Sequence, residues 1–190
     1  MTRYQLHNKD YDIVVDPRGA ELLALIYRGE NFLWSGDPRW WAKTSPLLFP
    51  IVGRLPKAEY TWRGKKYQMA KHGFAREQRF SLVCASQQAL TFELEGGAQI
   101  DANIFKHYPF EFSLQVTYSL HLDRLQVAWK VINRGESDMP FSIGAHPAFV
   151  FPCGAGIVAI NDMQLCLPRP FSITRMYINC LLYTSDAADD

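Results

Sequence analysis

The sequence predicts an all-β protein, an antiparallel β-sandwich, on three observations. Apolar residues recur with period two, turn residues separate the runs, and helical periodicity is almost absent. Residues 12–15 and 22–27 are the first short strands. A hairpin follows over 59–67, where Arg63-Gly64 lies between Tyr60/Trp62 and Tyr67/Met69. Strands at 80–85 and 90–95 come next, then one short helical candidate at 101–104, before Tyr108-Pro109. The clearest alternation spans 111–122: Phe112, Leu114, Val116, Tyr118, Leu120 and Leu122 interleave with Glu111, Ser113, Gln115, Thr117, Ser119 and His121. Asp123-Arg124 separates this run from Leu125, Val127, Trp129 and Val131, so the two form a hairpin that ends at Asn133-Arg134-Gly135. Loops carry Asp37-Pro38, Pro46 and Leu55-Pro56, and ligand residues are expected on such loops or on an exposed sheet face.

A chain of 190 residues that is 48% hydrophobic and 14% aromatic can bury a core and fits one domain. The domain is expected to run over 1–152, because the character of the sequence changes after Pro152. Three of the four cysteines, Cys153, Cys166 and Cys180, fall there, and residues 153–190 read as a divergent or non-native tail. A formal net charge of +1 gives no broad field for nucleic acid or an anionic membrane. No apolar run approaches the roughly 20 residues of a spanning helix, and the first ten residues lack a signal-peptide core, so a cytoplasmic protein is expected. The cysteines show neither CxxC spacing nor framework density. No HExxH, G-x-S-x-G, phosphate-binding or dinucleotide-binding loop occurs, and no metal or cofactor is expected. Glu93 and Glu95 share a strand face, which alone does not make a glycosidase pair.

Four side chains are candidates for chemistry. Arg54 ends the apolar run 45–53 and could fork two hydrogen bonds onto vicinal hydroxyls or an anion; equally, it could be a surface arginine with a packed stem. His72 precedes Gly73, and in an extended segment His72, Phe74 and Arg76 would share one face, a wall suited to a sugar. The alternative is a hydrogen-bonded loop histidine. His146 stands before Pro147, which biases it to an extended backbone and holds its ring for proton transfer, or simply as a structural histidine. His7, His107 and His121 are weaker candidates.

Taken together, residues 49–54, 71–76 and 140–149 resemble, in order and spacing, the aldose 1-epimerase (galactose mutarotase-like) family, and its lactose-operon-associated bacterial branch in particular. The resemblance covers about residues 4–152. It implies a β-supersandwich, here incomplete at the C-terminus, that interconverts the α and β anomers of an aldohexose or hexose phosphate without a cofactor. By position, His146 would be the general acid, His72 and Arg54 would hold the sugar, and Arg76 would match an arginine associated with phosphate recognition. The resemblance counts His72 with His146 in the catalytic set. Its glutamate base lies beyond the second histidine, and no position here matches it, so the chain is expected to be an impaired fragment. The run from Cys180 to Asp190 resembles a translated sequencing adapter. A monomer or homodimer that binds a small sugar or sugar phosphate, and neither nucleic acid nor membrane, is expected. A non-catalytic carbohydrate-binding sandwich, and a purely structural one, remain open.

Overall fold

A computed structural model describes residues 2–150, and every strand ladder in it is antiparallel. The boundary expected at residue 152 and the tail beyond it lie outside the described residues. So do Cys153, Cys166 and Cys180, while Cys84 is a free, exposed thiol.

The first sheet has the order β1 (Tyr4–His7), β2 (Tyr11–Asp16), β3 (Glu21–Tyr27) and β4 (Glu30–Asn31). Its turns follow from local chemistry. The Asn8 side chain accepts from the amides of Asp10 and Tyr11 at 3.0 and 2.9 Å, closing the first turn. Arg28-Gly29, with φ of 49° and 86°, closes β3 to β4 as a two-residue hairpin. Beyond β5 (Leu47–Leu48), Arg63-Gly64 repeats that solution at φ of 47° and 77° between β6 (Glu59–Trp62) and β7 (Lys65–Gln68). Only the second of these turns is apparent from sequence, because the strands flanking it alternate and β4 is two residues long.

The second sheet contains β8 (Ser81–Ala85), β9 (Ala89–Gly96), β10 (Phe112–Leu120) and β11 (Leu125–Asn133), in the order β11-β10-β9-β8. Alternation along β10 is obeyed: Phe112, Leu114, Val116, Tyr118 and Leu120 are all buried. Each such side chain contributes about 1.5–3 kcal/mol relative to exposure. On the other face, Ser113 and Gln115 donate to Glu93 at 2.5 and 2.9 Å, so Glu93 is engaged rather than solvated. Ile13 and Val15 of the first sheet join Phe92 and Leu114 of the second in one core. The Tyr4 ring meets Phe92 edge-on at 5.4 Å, and the Tyr118 hydroxyl donates to the Ala20 carbonyl at 2.7 Å. Burial pushes that hydroxyl well above the usual tyrosine range. His121 lies in the turn after β10, not on the strand.

The short helix is α1 (Ala102–His107). Asp101 caps it, its Oδ1 accepting from the amides of Asn103 and Ile104 at 2.9 Å each. Replacing Asp101 by Ala is expected to cost about 1 kcal/mol, measured by urea unfolding, with Asn close to neutral. Among the described residues β11 is an edge strand. Val127 and Trp129 remain 40% exposed beside an apolar groove of about 470 Å³ that Leu25, Val116 and Phe149 also line.

Candidate functional site

The two motif histidines are anchored on opposite flanks of one stretch of chain, residues 44–53, which contains β5. On one flank, Gly144 and Ala145, the strand β12, pair with Leu48 and Leu47. His146 then donates its amide to the Pro46 carbonyl at 3.0 Å, and Ala148 donates to Thr44 at 3.0 Å. The ladder extends the other way through Ser142, whose amide donates to the Pro50 carbonyl at 2.9 Å and whose hydroxyl accepts from the Val52 amide at 3.0 Å. Pro46 and Pro50 lack an N–H and join this ladder as acceptors only. His146 is thereby held in the extended backbone that its Pro147 favours.

On the other flank, Phe74 and Ala75 both donate to the Phe49 carbonyl, at 3.0 and 3.2 Å. The His72 amide donates to the Gly53 carbonyl at 2.8 Å, and the Gly53 amide returns a bond to His72 Nδ1 at 3.0 Å. A backbone amide can only donate, so Nδ1 is the acceptor nitrogen and Nε2 carries the proton of the neutral ring. His72 is therefore a preset Nε2–H donor.

The extended face expected for His72, Phe74 and Arg76 is not formed. His72 and Gly73 both take left-handed conformations, φ 65° and 74°, and a 3₁₀ turn (Ala75–Glu77) follows. Gly73 must pass against the Phe49 backbone, and the chain turns there instead of running straight. Phe74 consequently faces the core, with its ring 6.0–6.2 Å from those of Phe49, Tyr108 and Phe112. Arg76 donates from Nη2 to the Lys71 carbonyl at 3.2 Å. Its Nε is buried without a hydrogen-bond partner and lies 3.9 Å from Glu77 Oε1. Arg54 directly follows Gly53 and is exposed, with no hydrogen bond or ion pair among the described residues.

The structure adds residues that the motifs did not reveal. The Trp41 ring meets the His146 ring edge-on at 5.1 Å, and His146 Nδ1 is buried without a partner. Nε2 is thus the nitrogen of His146 able to reach a bound molecule. Trp41 is itself fixed, its carbonyl accepting from the Trp34 indole at 2.8 Å. Trp40 beside it is 78% exposed. Two adjacent tryptophans in a proline-bounded loop are a feature legible in the sequence. Glu77 pairs with Arg18 at 2.5 Å and Lys43 at 3.2 Å. Burial pushes the Glu77 carboxyl up, but Lys43 and Arg18 outweigh it and hold it below the usual carboxylate range. Among the described residues there is no cluster of His, Cys, Asp or Glu able to hold a metal, and no helix long and apolar enough to cross a membrane.

The chain has known relatives. The aldose 1-epimerase family model matches residues 2–168. Protein LacX of Lactococcus lactis subsp. lactis, plasmid form, is 30% identical over 184 residues, covering 90% of this chain and 60% of that one. A galactose mutarotase related enzyme from Lactobacillus acidophilus is similar in structure, with TM-score 0.78 and 34% identity over 83% of this chain and 52% of that chain. A galactose mutarotase-like protein from Lactobacillus casei ATCC 334 gives TM-score 0.74 and 35% identity, over 78% of this chain and 50% of that chain. The chain spans about 60% of the length of the curated relatives it matches and about half of these two structures. In fold and in family model alike, the chain belongs to the aldose 1-epimerase family.

Proposed function

We propose that the protein is a mutarotase, interconverting the α and β anomers of an aldohexose by acid/base ring opening. The observation that carries this reading is the pair of histidines anchored on one stretch of chain, residues 46–53, one a preset donor and the other walled by Trp41. His146 Nε2 gives its proton to the ring oxygen as a base takes the anomeric hydroxyl proton. The C1–O5 bond breaks to an aldehyde, C1–C2 rotates, and reclosure returns both protons and gives the other anomer. His72 Nε2–H and Arg54 hold hydroxyls and the ring-oxygen region. The glutamate base that family resemblance implies has no matching position in this sequence, so this chain alone is proposed to be impaired.

The ion pairs around Arg76 favour an unphosphorylated sugar. Glu77 lies close to the guanidinium and also pairs with Arg18 and Lys43, placing a carboxylate where a phosphate would otherwise find three cations. Polarimetry on a form of the protein that carries the full length of its family's domain tests both points. Glucose or galactose should mutarotate faster than in buffer, their 6-phosphates should gain less, and Glu77→Gln should narrow the gap. Intact sugar binding without any acceleration would leave a carbohydrate-binding protein instead.

A further inference from the structure

We infer that Glu21 is a positioning residue for His146: its buried carboxylate fixes the turn 43–46, against which both the backbone and the ring of His146 are set. Glu21 opens β3 and is only 6% exposed. Its Oε1 accepts from the amides of Thr44 and Ser45 at 2.7 and 3.1 Å, and Lys43 Nζ lies 3.9 Å from Oε2. Burying a carboxylate costs stability unless charge-assisted hydrogen bonds meet it, and two aligned amides on one oxygen do so.

What those amides belong to gives the contact its meaning. The carbonyls of Thr44 and Pro46 are the acceptors for Ala148 and His146, so the turn clamped by Glu21 sets the register of the His146 segment. Trp41, which bounds the His146 ring, enters the same turn from its N-terminal side. If the turn relaxes, the ladder on one side and the ring wall on the other both shift. Catalysis is sensitive to such shifts, since misplacement by about 1 Å can cost about 10²-fold in rate.

The kinetic arm of the test rests on the mutarotase reading above, whereas the spectroscopic arm does not. The imidazole NMR signals of His146 are compared in the wild type, Glu21→Leu, Glu21→Asp and Glu21→Gln. Gln keeps the acceptor oxygen and should preserve the signals. Leu removes the acceptor, Asp withdraws it by one methylene, and both should move the signals at temperatures where the protein stays folded. If Glu21→Leu does not fold, Glu21→Asp decides the question. A core control, Leu94→Ala, should lower Tm without moving the His146 signals. In the form that carries the full length of the family's domain, Glu21→Leu or Glu21→Asp should lower kcat by about 10²-fold with KM little changed, and Gln should restore most of it. Unmoved His146 signals in folded Glu21→Leu or Glu21→Asp overturn the inference, as does a shift of equal size in Leu94→Ala. A wild type without mutarotation overturns the mutarotase reading alone, because the NMR comparison still decides the role of Glu21.

Discussion

Gly73→Ala is expected to remove a large part of the stability of the fold. At φ +74°, an alanine carries the left-handed penalty of about 1–2 kcal/mol before any contact is considered. Its Cβ would also collide with the Phe49 carbonyl carbon and oxygen and sit 2.6 Å from Pro50 N. These are backbone atoms, so no flexible side chain can swing away. Relief requires moving Phe49 and Pro50, which would release the Phe74 and Ala75 amides bonded to the Phe49 carbonyl, each worth about 1 kcal/mol. The sum, about 3–4 kcal/mol or more, is a large part of a typical stability of about 5–15 kcal/mol. Gly64→Ala supplies the comparison, because that glycine has similar φ, +77°, but nothing within 4 Å of its added Cβ. Denaturant titration should show a small loss for Gly64→Ala and a collapse for Gly73→Ala. Similar midpoints for the two would contradict the packing argument.

His146→Ala has the opposite profile, with little structural cost and a large chemical one. The anchors of the segment are backbone groups that alanine retains, and the ring contributes chiefly its contact with Trp41. Stability should fall by no more than about 1–2 kcal/mol, within the usual range for losing one partly buried contact. A positioned general acid contributes about 10²–10⁴-fold, so if His146 has that proposed role kcat should fall by that factor in the form that carries the full length of the family's domain, with affinity nearly kept. Polarimetry and a sugar titration measure the two quantities separately. Equal losses in rate and affinity would assign His146 to binding.

What could be read from the sequence divides along physical lines. Where one face of a strand is buried and the other wet, as in β10, composition records the geometry residue by residue. Asp101 likewise announces its helix, because the cap bonds to amides two and three residues on. β5 and β12 were not apparent, each being two residues long and defined only by the other. The motifs singled out His72, Arg76, Arg54 and His146 as candidates, but they did not show that His72 and Gly73 turn left-handed, which sends Phe74 into the core. Gly73 tolerates that turn at no cost, yet what demands it is the Phe49 backbone, distant in sequence. Glu21 carried no local sign, since its partners are two amides of a remote loop.

The shared segment between the histidines has a consequence for how this site can change over time. Pro46 fixes one histidine and Gly53 the other, so their separation is written as a residue count along one stretch of chain. Exchanging side chains within that stretch alters lining and polarity while leaving the count alone. Deleting or inserting one residue between the two anchors would change that count and shift one histidine relative to the other. Divergence here is thus open to substitution and closed to changes of length.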